Sequence, residues 1–257
     1  MSVVKLRGVD LWFAGGPPVL QDITFDVAAG EHWALLGPNG AGKSTLLALA
    51  GAQRFPSRGT VELLGERLGR VDVRELRRRI GVVDVRLRLP RELSVRSYVE
   101  TGETQTVQSL GPAGAGVGSR VTELLAQLGL TDIEGRPIAV CSQGEQARAR
   151  LARALVPKPE LLLLDEPAAG LDLPGRADLL AALEAAAADR RLSTVTVAHH
   201  LEELPATTTH VALLRAGRIV ASGDASLLGD ASLLSECFGR TVRAFAIDGR
   251  WFVTASR

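Results

Sequence analysis

The amino-acid sequence predicts an α/β fold with a mainly parallel sheet, an antiparallel β layer at the N-terminus and a helical insert. Three observations carry this reading. The first is the run Gly37-Pro38-Asn39-Gly40-Ala41-Gly42-Lys43-Ser44-Thr45, preceded by the apolar stretch His32 to Leu36 and followed by the helix-prone Thr45 to Ala50. The second is Leu161-Leu162-Leu163-Leu164, the composition of a central parallel strand buried on both faces, which ends on Asp165-Glu166. The third is the absence of any helix-length segment between the first two apolar runs, Val3 to Leu11 and Ile23 to Val27, which predicts that they pair antiparallel.

The first run satisfies G-x-x-x-x-G-K-[ST] in full and has the strand and helix that the motif needs on either side. Its glycines let backbone N–H groups converge on phosphate oxygens, and the helix N-terminus adds partial positive charge. Lys43 is expected to reach the β- and γ-phosphates, and the Ser44 hydroxyl to take a Mg²⁺ coordination position. The sequence therefore predicts a P-loop NTPase core. Two carboxylates at the end of a buried strand are costly without a partner. A phosphate-bound Mg²⁺ supplies one. Asp165 is expected to hold the metal and Glu166 to polarise an attacking water.

Along the chain, Thr60 to Leu64 reads as a third strand of the N-terminal layer, and Gly15-Gly16-Pro17-Pro18 as a turn. Trp12 and Phe13 end the first strand. An aromatic there fits stacking on a purine ring or sealing a core edge equally well. Val73 to Arg79 predicts a short basic helix and Ile80 to Val83 a strand. From about residue 90 to 155 the pattern is helical, with pieces at Leu93 to Thr101 and Val121 to Leu128 joined by a flexible Gly111-to-Gly118 stretch. Pro174 to Arg190 predicts an alanine-rich helix, and Thr194 to Val197 a buried strand ending at Ala198-His199-His200. A histidine at a strand end can bond a γ-phosphate, although taken alone either fits a core-edge role. Hairpins are expected around Ala216-Gly217 and Asp248-Gly249.

Composition bounds the function. The 257 residues suffice for a substantial core and carry a net charge of +1, with arginines spread and balanced by acids as on a solvated surface. Direct nucleic-acid binding is not expected. Two cysteines, Cys141 and Cys237, are too few for a disulfide framework. No apolar run approaches the ~20 residues of a bilayer span, and the N-terminus has no signal-peptide pattern. A soluble, cytoplasmic protein is expected. Asn39 is the only asparagine, so a guanine-reading N-K-x-D motif is absent.

These motifs, in this order, resemble the nucleotide-binding subunit of an ATP-binding-cassette (ABC) ATPase, from Val3 to about Gly223. GPNGAGKST resembles the family's Walker A loop, LLLLDEP its Walker B strand, and Ala169-Gly170-Leu171-Asp172 its D-loop. His199 matches the switch histidine, and Phe13 aligns best with the adenine-stacking aromatic, Trp12 second. Cys141-Ser142-Gln143-Gly144-Glu145 stands where the family carries its LSGGQ signature, ahead of a helix from Glu145 to Leu155. The Ser142 hydroxyl and the Gly144 N–H would face a γ-phosphate at that helix start.

The resemblance implies ATP and Mg²⁺ as ligands, with Glu166 and His199 catalytic. It also implies a second copy in a head-to-tail dimer and a separately encoded membrane permease, at the inner face of the cell membrane. One ABC domain over 1–257 is expected, with a helical insert at about 90–155 and a C-terminal β-hairpin extension at about 240–257. A soluble ABC ATPase acting as a mechanical switch on a non-membrane partner is the alternative. One departure stands out. Where the family has a glutamine after the strand Ile80 to Val83, this chain reads Asp84-Val85-Arg86-Leu87, with no glutamine before Gln105. Asp84 is expected to be solvated, with a weak metal- or water-ligand role as the alternative; either ATP turnover is slowed, with metal and water poorly organised, or coupling to a partner works differently.

Overall fold

The computed structural model describes residues 1–104 and 117–256. Its N-terminal layer is a four-stranded antiparallel sheet of β1 (Ser2–Trp12), β2 (Pro18–Ala28), β4 (Arg58–Leu63) and β5 (Glu66–Arg67), in the order β2-β1-β4-β5. The second strand begins at Pro18, not Ile23. Proline donates no N–H, and β2 is the sheet edge, so nothing there needs that donor. The two-residue β5 follows the tight Leu64-Gly65 turn, whose positive φ values of 52° and 83° match the twist of a hairpin.

The second sheet holds β3 (His32–Leu36), β6 (Ile80–Asp84), β7 (Leu161–Asp165), β8 (Ser193–Val197), β9 (His210–Arg215) and β10 (Arg218–Asp224), ordered β10-β9-β3-β8-β7-β6. Every pairing is parallel except β9–β10, a hairpin turning at Ala216-Gly217 as expected. Period-2 alternation sends successive side chains of a strand into different cores. On β7, Leu161 and Leu163 enter the core shared with the N-terminal sheet and α1 (Lys43–Ala50), whereas Leu162 and Leu164 enter the core under the helical segment. Four consecutive leucines are buried because both faces of this strand are covered.

The helical segment contains α3 (Val95–Glu100), α4 (Val117–Gln127) and α5 (Gln143–Leu155), following α2 (Val73–Arg78). Most of the expected Gly111-to-Gly118 joint lies outside the described residues; Val117 and Gly118 belong to α4. The helix expected from Glu145 starts at Gln143, because Ser142 caps it. The Ser142 hydroxyl accepts from the Glu145 N–H at 3.2 Å, and the Glu145 carboxylate accepts from the Ser142 N–H at 2.7 Å. α6 (Leu173–Ala187) is likewise capped by Asp172, and it stops short of Arg190.

Residues 231–238 form a helix, α7 (Ala231–Phe238), that the sequence reading did not anticipate; Asp230 caps its start and Gly239, at φ +65°, ends it. The tail forms the expected hairpin of β11 (Thr241–Ile247) and β12 (Arg250–Ser256), whose Asp248-Gly249 turn has positive φ at both residues. Leu234 and Cys237 of α7 and Val242 of β11 join Leu36 and Leu213 in a third core.

Candidate functional site

The parallel strands carry their chemistry at their carboxyl ends, where an open α/β sheet forms its crevice. β3 delivers the glycine loop, β7 delivers Asp165 and Glu166, and the turn after β8 delivers His199. The loop is tightly seated. A Cβ on Gly37, at φ +147°, would lie 2.0 Å from the Leu214 carbonyl oxygen, and one on Gly42, at φ +101°, would lie 2.7 Å from Leu20 Cδ2. Only glycine fits those two positions, as a backbone cradle for phosphate requires.

Lys43, 5 % exposed, donates to the carbonyls of Gly37 at 2.7 Å and Pro38 at 3.1 Å. Burial pushes its pKa below the ordinary lysine value, and the Glu166 carboxylate nearby pulls it partly back. Glu166 sits at φ +54°, a left-handed conformation costly for a side chain with a Cβ and typical of functional positions. Its Oε1 lies 2.7 Å from His199 Nε2. A cavity of about 440 Å³ collects Asn39, Gly40, Ala41, Gly42, Lys43, Ser44, Thr45, Glu166 and His199 on one wall system, with Val19 completing it. A larger groove of about 650 Å³ opens between α4, α5 and α6 but contains none of these residues.

The two expected metal ligands also come together. The Ser44 hydroxyl donates to Asp165 Oδ1 at 3.0 Å. This pair of hard oxygens suits Mg²⁺ shared with substrate phosphates. Among the described residues no group of three or more His, Cys, Asp or Glu could hold a metal ion, so phosphate would supply further ligands. Burial raises the Asp165 pKa, with the Ser44 hydrogen bond and the charge of Arg86 offsetting part of the rise.

Arg86 is the residue the sequence reading missed. Asp84 is not a plain solvated carboxylate. It is the register partner of Asp165 on the neighbouring strand, and Arg86 binds it through Nε at 2.9 Å and Nη2 at 3.1 Å. The same Nη2 also donates to Asp165 Oδ2. Burial pushes the Asp84 carboxyl up, but the hydrogen bonds from Arg86 outweigh it and hold the pKa below the usual range. Arg150 of α5, 9 % exposed, fastens the segment by donating to the carbonyls of Asp84 at 2.9 Å and Leu87 at 2.8 Å. The arginines are therefore not uniformly a solvated surface. No local pattern marks these two, because Asp165, and for Arg150 the Asp84 and Leu87 carbonyls, lie far off in the chain.

Seven expected site residues are not on the wall of that cavity: Gly37 and Pro38, whose carbonyls accept from Lys43, Asp165, which accepts from Ser44, and Phe13, Ser142, Gly144 and Asp172. Phe13 is exposed in the β1–β2 turn, with the Arg54 guanidinium 5.3 Å from its ring centroid. Ser142 caps α5, and Gly144 lies in the first helical turn against Gly175 of α6. The Asp172 side chain accepts from the Gly175 N–H at 2.9 Å.

Comparison with known proteins agrees with this architecture. The family described as ABC transporter matches residues 20–169. The "Uncharacterized ABC transporter ATP-binding protein YmeB" of Lactococcus lactis is 32 % identical, over 98 % of both chains. The "Cobalt import ATP-binding protein CbiO" of Rhodobacter capsulatus is 38 % identical, over 87 % of this chain and 80 % of that protein. Among solved structures, a dimeric ATP-binding cassette in a post-hydrolysis state with ADP and Pi superposes with a TM-score of 0.75 at 25 % identity, covering 86 % of this chain and 98 % of that one. With the glycine loop, the Asp165-Glu166 strand end and His199 assembled on one sheet edge, the chain belongs to the ABC transporter family, as one of its ATP-binding subunits.

Proposed function

We propose that this chain is a single ABC ATPase domain that hydrolyses Mg-ATP to power a membrane transporter through closure of a head-to-tail dimer. The observation that carries the reading is the Glu166–His199 contact of 2.7 Å, set in the same cavity as Lys43 and the glycine loop. Lys43 holds the β- and γ-phosphates. Glu166 orients and polarises the attacking water, and His199 keeps that carboxylate in position and faces the γ-phosphate. Mg²⁺, when bound beside Ser44 and Asp165, supplies charge neutralisation on the transferring phosphoryl group. Phe13, on the turn that leads into Val19 of the cavity wall, is the proposed adenine platform.

Ser142, Gly144 and Asp172 do not line the cavity of their own chain. That favours their use on a second copy, where the α5 N-terminus offers N–H groups and dipole to a γ-phosphate. No helix among the described residues is long and apolar enough to cross a membrane. The proposed partner for the transport step is a separately encoded permease, with this subunit at the inner face of the membrane. Relatives named for cobalt import, hemin import and ferric enterobactin transport support a transporter role over a soluble switch. The test is purification of the tagged chain from detergent-solubilised membranes. Recovery with a multi-spanning membrane protein is expected, and recovery with ribosomes or other soluble partners instead would sink the transporter reading.

Arg86 also bears on the glutamine departure. Arg86 holds the Asp84 carboxylate beside Asp165, so an oxygen acceptor already stands at this strand end. Val85→Gln is accordingly expected to leave kcat at saturating Mg-ATP unchanged. A faster variant would show that the parent lacks an organising hydrogen bond there.

A further inference from the structure

Both oxygens of the Asp165 carboxylate are engaged by protein donors: Oδ1 by the Ser44 hydroxyl at 3.0 Å and Oδ2 by Arg86 Nη2. The carboxylate is only 4 % exposed, whereas the Arg86 side chain is 59 % exposed. The arginine thus reaches in from solvent to a buried anion. Its grip on Asp84 uses Nε as well as Nη2, so it can leave Asp165 and remain paired. A second, small cavity of about 60 Å³ on this side of the loop is lined by Ser44, Asp84, Arg86 and Asp165 together. A divalent cation held by Ser44 and Asp165 would meet the guanidinium at the same carboxylate.

We infer that Arg86 is a resident counter-cation of the metal carboxylate, competing with Mg²⁺ for Asp165 and thereby setting the Mg²⁺ concentration at which the subunit captures nucleotide. The inference rests on the phosphate-loop reading above. Arg86 acts as a positioning residue. Without metal it neutralises Asp165 and keeps it aimed at Ser44. With a divalent cation held by Ser44 and Asp165, the guanidinium would be repelled from Asp165 and would keep its pairing to Asp84. Every captured Mg-nucleotide then includes the free energy of lifting Arg86 away, which raises the apparent Mg²⁺ requirement by the ratio of paired to released forms.

The test uses the full chain and a fluorescent non-hydrolysable ATP analogue titrated with Mg²⁺, with an EDTA series for the metal-free affinity. Arg86→Ala is expected to lower the half-saturating Mg²⁺ concentration about threefold to tenfold, the scale on which one net hydrogen bond from a solvent-exposed side chain shifts a competing equilibrium. Arg86→Gln, which keeps length and a donor but loses the charge, should shift it in the same direction. The affinity in EDTA should stay at the parent value or fall, because loss of Arg86 leaves the Asp165 charge unneutralised beside Ser44, while the Mg²⁺ midpoint should drop in either case. A loss of general structure would weaken the affinity in EDTA and raise the Mg²⁺ midpoint together, and that outcome would overturn the inference. So would an unchanged or higher Mg²⁺ midpoint in Arg86→Ala while the parent shows normal Mg-dependent capture. A parent that captures no nucleotide at any Mg²⁺ concentration overturns the phosphate-loop reading itself, and the Arg86 role with it. Thermal melting of each variant checks that the chain is folded.

Discussion

Lys43→Ala is expected to abolish tight nucleotide binding. The ammonium is nearly buried at the base of the loop and held by the Gly37 and Pro38 carbonyls at 2.7 and 3.1 Å, so it is already aimed where phosphate would sit. Among the described residues no other lysine or arginine lines that cavity. A charge-assisted hydrogen bond contributes about 1.5–3 kcal/mol, and one cation facing two phosphates makes two of them. Affinity should therefore fall by at least about 10²-fold. Titration of the fluorescent analogue measures it, with a thermal melt to show that the variant folds. Parent-like binding by the variant would remove the phosphate-loop assignment and everything built on it.

Glu166→Gln carries the second large effect. Gln keeps the size of Glu and a hydrogen bond to His199, so binding should survive. It is neutral, however, and cannot polarise a water as a carboxylate does. Turnover should drop by about 10²-fold or more, the range for losing a general base. With hydrolysis blocked, the ATP-bound dimer should accumulate and elute ahead of the monomer on size exclusion in the presence of Mg-ATP. The placement of Ser142, Gly144 and Asp172 outside their own cavity is what makes a dimer the expected product. A variant that stays active and strictly monomeric would defeat the two-copy mechanism.

The parts of the site legible from the chain were those written in one contiguous stretch. Gly37 to Thr45 builds its cradle from its own backbone, and its strand and helix adjoin it directly. Leu161 to Glu166 declares a doubly buried strand with carboxylates at its exit. Ser142 and Glu145 form a capping box whose two halves are three residues apart, yet the helix was expected to begin two residues late. Cap chemistry outweighed the weak helix propensity of glycine there. α7 was missed for a related reason: eight residues between loops carry little periodicity, and its Leu234 and Cys237 become core residues only when the tail hairpin closes over them.

What the sequence determined by itself was the nucleotide chemistry and the layer fold, because glycine spacing, buried-strand composition and hairpin turns act through nearest neighbours. The tertiary structure alone decided the Arg86–Asp84–Asp165 cluster. β6 and β7 are separated in the chain by the whole helical segment but are adjacent in the sheet, and their parallel register sets Asp84 beside Asp165. An arginine two residues beyond Asp84 reads in sequence as one more solvated charge. It becomes the partner of a buried carboxylate because that register brings two acids to one strand end, and a second arginine, Arg150, arrives from α5 to hold the segment in place. Charge pairing across strands distant in sequence depends on sheet order and register, and neither is set by any single stretch of residues.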